Sequence, residues 1–140
     1  MRSPEEPRLG VDHYCFACGR ENPRGLHLTF RFEGDDYVCE FTPEQEYQGW
    51  TDILHGGIVS TVLDEVMTRI LWERGINAMT VELMIRLKRP VPIGEPVTAR
   101  ARLTGSRKRL YETEAELVLA DGTLAATATG KFLRVETPEE

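Results

Sequence analysis

The segment from Ile58 to Leu71 most constrains what this chain can fold into. Its apolar residues recur at helical spacing and cover more than half of a helix circumference. These residues are Ile58, Val59, Val62, Leu63, Val66, Met67, Ile70 and Leu71. A helix that is apolar over so much of its surface must be buried. The sequence therefore predicts one long central helix around which the other elements pack.

Segments in which apolar and polar residues alternate flank this helix and predict strands. Two lie before it, on either side of the turn "EGDD" at 33–36. Four follow it in hairpin order; the first runs from Met79 to Leu87 and ends before Pro90, and a "DG" turn at 121–122 precedes the last. The expected fold class is α+β, an antiparallel sheet with one face on the helix.

The length of 140 residues fits one domain, which we place at 12–134 between flexible tails at 1–11 and 135–140. The net charge of -6 argues against a nucleic-acid partner. No apolar run reaches the roughly 20 residues that cross a membrane. The start, "MRSPEEPRLG", is not a signal peptide, and three cysteines fit reduced thiols. We expect a cytoplasmic protein without a membrane partner.

Small and polar residues form a stripe along one side of the predicted helix. Gly57, Thr61, Asp64 and Thr68 lie three or four positions apart and would allow a ligand or another backbone to come close. At the helix start, Gly56 and Gly57 leave N–H groups accessible, and such an end can hold an anion or a developing oxyanion. The alternative is that both glycines only allow a tight turn.

The two adjacent acids of the helix have different surroundings. Glu65 precedes Arg69 by four residues, which predicts an intrahelical ion pair. Asp64 has no basic neighbour on its face. A partly buried and unpaired carboxylate should have a raised pKa, which suits a general base working near neutral pH. The alternative is a hydrogen-bonded structural Asp.

The N-terminal segment contains a C-x-x-C pair, Cys15 and Cys18, with His13, His27 and Cys39 nearby in sequence. Zinc sites usually add a second closely spaced ligand pair, which this chain lacks. We therefore predict no metal site and no cofactor. The expected role of the pair is to pack a loop onto the sheet.

The turn "SRKR" at 106–109 carries three positive charges in an acidic chain. Arg107, Lys108 and Arg109 either form a solvated loop or bind the phosphates of a ligand. A hairpin centred near Arg107 would also place Arg100 opposite Glu114, a pairing common on a solvated face.

Three motifs together resemble a known family. "HGGIVSTVLDE" at 55–65, "TVELMIRLKRPVPIG" at 80–94 and "AATATGKF" at 125–132 are similar to the PaaI-like group of hotdog-fold acyl-CoA thioesterases. "CFACGRENPRGLHL" at 15–28 resembles the leader of one branch of that group. The resemblance implies a hotdog fold, a sheet wrapped around one long helix. It also implies hydrolysis of an acyl-CoA and a homodimer or a dimer-of-dimers tetramer.

The resemblance also implies roles for individual residues. Gly57 would donate its N–H to the thioester oxygen, and Asp64 would be the general base or the nucleophile. His55 would position or polarise the thioester, and Thr80 would orient the attacking water. Because Thr80 lies opposite the apolar row of its strand, we expect it to face an interface.

One position departs from the family pattern. Several relatives have an Asn six residues before the His, where this chain has Gly49, and the adjacent Gln48 is a possible substitute. The substrate-binding residues that we expect are Gln48, Gly56, Thr61, Glu65, Arg107, Lys108 and Arg109.

Two functions fit these motifs: an acyl-CoA thioesterase and a non-catalytic acyl-CoA-binding module such as a sensor. A hotdog dehydratase fits less well, because its pattern joins a His to a Glu at a different spacing. In either case Gly57 and Asp64 lie roughly 10 Å apart on one helix, at about 1.5 Å per residue. One thioester cannot contact both, which predicts a site built from two chains.

Overall fold

One helix lies against a six-stranded antiparallel sheet in the computed structural model, which describes residues 9–135. The helix is α1 (Gly56–Glu73). The strands are β1 (Phe30–Glu33), β2 (Asp36–Phe41), β3 (Ala78–Leu87), β4 (Val97–Arg107), β5 (Leu110–Val118) and β6 (Leu124–Arg134). A short 3-10 helix (Gln45–Tyr47) lies between β2 and α1. The predicted α+β class and the number of elements are confirmed.

The strand order is β1-β2-β4-β5-β6-β3, which differs from the predicted hairpin order at β3. β3 pairs with β6 and forms one edge of the sheet, whereas β4 pairs with β2. The connection between them contains Pro90 and Pro92 and passes the start of the helix, where the Val91 carbonyl accepts a hydrogen bond from Leu54 N. This connection therefore carries the chain across the sheet instead of folding back into a hairpin.

The core lies between α1 and the sheet. The helix buries seven of its apolar side chains there, namely Val59, Val62, Leu63, Val66, Met67, Ile70 and Leu71. From the sheet, Phe132 is fully buried beside Gly130. A Cβ atom at Gly130 would lie 2.6 Å from Cε1 of Phe132, so any other residue there would force this ring to move. The predicted burial of the helix is confirmed.

A bulge interrupts the alternation of β3. Thr80 pairs with Phe132 and Glu82 pairs with Lys131, which leaves Val81 as an extra residue. Directly paired residues share a face, so Thr80 faces the helix together with Phe132. The prediction that Thr80 lies opposite the apolar row is therefore wrong, since the bulge shifts the side-chain phase by one residue.

The turn between β4 and β5 lies further along the chain than predicted. Arg107 pairs with Leu110, and the ladder shifts between Leu103 and Gly105. As a result Arg100 faces Glu116 and not Glu114, so the predicted register is wrong by two residues.

The edge strand β3 exposes much of its apolar surface. Its exposed apolar residues are Met79, Val81, Leu83, Met84 and Leu87. Much of the apolar surface of this strand is thus uncovered within one chain. Among the described residues, no helix is long and apolar enough to cross a membrane. The predicted tails fall mainly outside the described residues, although Val135 is buried and donates its N–H to the Asn77 carbonyl.

Candidate active site

The start of α1 is capped by His55. Its Nδ1 accepts a hydrogen bond from the Gly57 N–H at 2.9 Å. In the neutral ring the proton must therefore sit on Nε2, which leaves Nε2 as a donor. The Gly57 N–H, predicted to bind the thioester oxygen, has the His55 ring as its partner in this chain.

The loop before the helix packs closely against the capping His. A Cβ atom at Gly49 would lie 3.3 Å from Cα of His55, so glycine allows the close approach. Oε1 of Gln48 accepts a hydrogen bond from the Asp52 N–H at 3.1 Å. Within residues 9–135, Nε2 of Gln48 has no hydrogen-bond partner, so this predicted substitute for the family Asn retains a donor.

Asp64 lies in the middle of α1 and meets the edge strand. The Thr80 hydroxyl donates a hydrogen bond to Oδ1 of Asp64 at 2.8 Å. Burial raises the pKa of Asp64 above its usual value, and the bond from Thr80 lowers it and so offsets part of that rise. The structure thus brings together two predicted site residues from different elements. No basic side chain pairs with Asp64 in the described part of the chain, as the sequence predicted.

The predicted stripe of small and polar residues is present along α1. The Thr61 hydroxyl donates to the Gly57 carbonyl at 2.9 Å, and the Thr68 hydroxyl donates to the Asp64 carbonyl at 2.8 Å. Both hydroxyl groups therefore donate their protons to carbonyl oxygens of the same helix. Gly57 and Asp64 remain seven residues apart on it, as the sequence requires.

A family model described as the thioesterase superfamily matches residues 51–126, which include His55, Gly57, Asp64 and Thr80. This match covers more than half of the 140 residues. The chain belongs to the thioesterase superfamily. It is 30% identical to acyl-coenzyme A thioesterase 13 from Homo sapiens over 98 residues, which are 69% of this chain and 65% of that protein.

Solved structures of the superfamily share the fold. Protein RHA08564, a thioesterase superfamily protein, aligns with a TM-score of 0.82 and 28% identity over 89% of this chain and 62% of that chain. PaaI from the phenylacetic acid degradation operon of E. coli aligns with a TM-score of 0.74 and 20% identity, over 80% of this chain and 82% of that chain. The predicted PaaI-like hotdog fold is confirmed. The chain spans slightly less than two thirds of the human relative and of RHA08564.

In this thioesterase-superfamily chain, the positive turn between β4 and β5 is only partly free. The Arg109 guanidinium donates to the Arg134 carbonyl, from Nη2 at 2.8 Å and from Nε at 3.2 Å. Arg109 therefore binds the backbone at the end of β6, whereas Arg107 and Lys108 are exposed at the tip of the turn. Of the predicted phosphate-binding patch, these two side chains are available to a ligand.

The predicted ion pair between Glu65 and Arg69 is absent among the described residues. Arg69 instead pairs with Glu73 at 3.2 Å, and its Nη1 lies 3.6 Å from Sγ of Cys18. Glu65 turns toward the leader, where its Oε2 lies 3.8 Å from Sγ of Cys15. The partner that Glu65 meets instead comes from a segment 50 residues away, which helix spacing alone cannot indicate.

The leader lies against α1, where Cys15 and Cys18 approach Glu65 and Arg69, and its Ala17 is buried in the core that the helix and the sheet share. It encloses a cavity of about 260 Å³ together with one side of α1. Residues that sequence analysis missed line this cavity, among them Trp72 and Asn77. Asn77 is 7% exposed, and its Nδ2 has no partner in the part of the chain that the structure describes. The only sequence signal for Asn77 was its position as a polar residue between the predicted helix and an apolar strand. Burial raises the pKa of the Cys18 thiol, and Glu65 raises it further.

Proposed function

We propose that this chain hydrolyses an acyl-CoA thioester to the free acid and coenzyme A. The observation that carries the proposal is Asp64, a partly buried carboxylate with a raised pKa that the Thr80 hydroxyl holds in place. Membership of the thioesterase superfamily and the similarity to a relative named acyl-coenzyme A thioesterase 13 support it. A carboxylate with these properties suits proton abstraction from water near neutral pH.

In the proposed reaction, Asp64 takes a proton from water while the water oxygen bonds to the thioester carbon. Thr80 orients the carboxylate. The Gly57 N–H stabilises the oxyanion that develops on the former carbonyl oxygen. The C–S bond then breaks, the acid forms, and the thiolate of coenzyme A recovers the proton. In the alternative, Asp64 itself bonds to the thioester carbon and expels the thiolate of coenzyme A, and water then hydrolyses the mixed anhydride to the free acid and Asp64, whose proton passes to the thiolate.

The cap at the helix start gives His55 a part in this proposal. The thioester oxygen would replace Nδ1 of His55 as the acceptor of the Gly57 N–H, so the N–H exchanges one partner for another. In this proposal Nε2–H of His55 is a second donor for the oxyanion, and the amide of Gln48 is the candidate replacement for the Asn of several relatives.

We further propose that each site is shared by two copies of the chain. Gly57 and Asp64 are roughly 10 Å apart along α1, whereas groups acting on one carbonyl and its attacking water must lie within about 3 Å of them. A second helix running antiparallel would set its start beside the middle of the first. The exposed apolar edge of β3 and Trp50, which is 83% exposed, are the surfaces that such a partner would cover.

The test of the general base is Asp64→Asn, which preserves shape but cannot accept the proton. We expect thiol release from a panel of acyl-CoAs to fall by about 100- to 10,000-fold while binding persists. The matched control is Glu73→Gln, which neutralises an exposed carboxylate on the same helix and should remain active. A wild-type chain that binds acyl-CoA but releases no thiol would favour the acyl-CoA-binding module.

The test of the shared site is complementation. One parent carries His55→Ala with Gly57→Val and the other carries Asp64→Asn; the two are unfolded and refolded together. In a mixed dimer one site carries every lesion and the other carries none, so random pairing should restore about a quarter of wild-type activity. Mixed dimers without activity would contradict the shared site. The choice between dimer and tetramer and the cytoplasmic location stay predictions.

A further inference from the structure

The leader and the helix together form a cluster of three potential metal ligands. Sγ of Cys15, Sγ of Cys18 and a carboxylate oxygen of Glu65 all lie within 4.8 Å of one another. Sequence spacing alone predicted no metal site, because no second ligand pair follows the C-x-x-C. The fold supplies the third ligand from the middle of α1. We propose that these three side chains bind one Zn²⁺ ion.

The geometry is close to that of a tetrahedral zinc site. With Zn–S and Zn–O bonds of about 2.3 and 2.0 Å, a sulfur and an oxygen ligand lie about 3.5 Å apart. The Cys15 Sγ and Glu65 Oε2 atoms are 3.8 Å apart. A shift of a few tenths of an ångström would bring this pair to the ideal separation. The C-x-x-C pair lies in a tight turn, in which Gly19 N donates a hydrogen bond to the Cys15 carbonyl oxygen at 2.8 Å.

The surrounding charges suit a divalent cation. Two thiolates and one carboxylate on Zn²⁺ leave a net charge of -1, and the Arg69 guanidinium, which also pairs with Glu73, lies next to the cluster. Nη1 of Arg69 lies 3.6 Å from Sγ of Cys18, the position of an outer partner that orients a ligand. Soft sulfur ligands combined with one oxygen favour zinc over magnesium or calcium.

Of the other candidate ligands in the sequence, His13 lines the same cavity but is not part of the cluster, and the remaining two lie elsewhere. Cys39 is fully buried in the core, and Nε2 of His27 lies 2.6 Å from the Asn22 carbonyl oxygen. The fourth zinc position therefore opens toward the cavity of about 260 Å³ that Cys15, Cys18 and Glu65 also line. A water molecule in that cavity would complete the tetrahedron. The ion would tie the leader to α1, independently of the thioester chemistry at Asp64.

The test uses cobalt as a spectroscopic probe for zinc. The reduced full chain is stripped with a chelator, its fold is checked by circular dichroism, and Co²⁺ is titrated. We expect saturation at one Co²⁺ per chain, with visible bands typical of tetrahedral cobalt and a thiolate-to-metal band that Zn²⁺ abolishes. Metal removal should also lower the melting temperature.

Variants assign the ligands. Cys15→Ser and Cys18→Ser should each weaken zinc binding by at least about 100-fold, since loss of even an outer partner costs about 10- to 100-fold. Glu65→Gln should weaken it by at least about 10-fold. The matched control, Cys39→Ala, removes a thiol outside the cluster and should leave the cobalt spectrum unchanged. A folded, reduced wild-type chain that takes up no cobalt would overturn the proposal. So would a thiolate band that survives in Cys18→Ser or disappears in Cys39→Ala.

Discussion

Replacing Thr80 by Val tests how the carboxylate of Asp64 is prepared for catalysis. Val preserves the branched shape but removes the hydroxyl that donates to Oδ1 at 2.8 Å. A hydrogen bond to a charged group contributes about 1.5–3 kcal/mol, and about 1.4 kcal/mol corresponds to a factor of ten. The balance between ionised and protonated Asp64 should therefore shift by about tenfold or more toward the protonated form.

The direction in which the pKa of Asp64 changes decides at which pH values the variant and the wild type should differ. Burial already raises the pKa of Asp64 and Thr80 lowers it, so removing Thr80 raises that pKa further. Activity needs the ionised form, so the acid limb of kcat/KM against pH should move to higher pH. At pH values below the wild-type midpoint, kcat/KM should fall by about tenfold or more. Toward alkaline pH, where both carboxylates are ionised, the difference should shrink.

Thr80→Ser is the matched control, because it keeps a hydroxyl at the same position. Its acid limb should stay near that of the wild type. If Thr80→Val left the acid limb unmoved and lowered kcat/KM equally at every pH, the claim that Thr80 lowers the pKa of Asp64 during catalysis would be refuted. Thr80 would then act on the water alone or on the packing of β3.

Three further results are expected. Asp64→Asn should melt at a higher temperature than the wild type above the pKa of Asp64, because burial disfavours the charged form; the difference should vanish as pH falls through that pKa in calorimetric scans. Neutralising Arg107 and Lys108 together should raise KM and leave kcat nearly unchanged in low salt, because contacts remote from the thioester bind ground and transition states alike; an unchanged KM would make them a solvated loop. Gly130→Ala should lower the free energy of unfolding in urea by about 1–3 kcal/mol through the clash with Phe132; unchanged stability would contradict that packing.

The local elements could be predicted from the sequence because their signals are local. The apolar periodicity of α1 reports directly on burial, and its outcome agrees from Val59 to Leu71. The pairing of Asp64 with Thr80 had a weaker signal, since it depends on how a strand lies against the helix. The family motifs indicated both residues, but only the fold brings them together.

The failures concern residues for which several partners compete, and local spacing does not show which partner the fold selects. Glu65 has Arg69 at an ideal helical spacing, yet Arg69 also has Glu73 at the equivalent spacing. The leader in addition places the Cys15 thiol near Glu65 and the Cys18 thiol near Arg69. Strand order failed at β3 for a similar reason, because a crossing connection and a hairpin connection of this length look alike in sequence. Arg109 was assigned to a ligand, whereas the backbone of β6 uses it.

The extra residue in β3 has a consequence for insertions and deletions. Since Val81 has no pairing partner between Thr80 and Glu82, its deletion would leave every other pair of the β3–β6 ladder in place. The strand would become regular, with Thr80 still on the helix side and Leu83 still opposite Gly130. This is a point where chain length can change by one residue without altering which side chains meet Asp64. An alignment of related chains should accept a gap at Val81 more readily than a mismatch at Thr80.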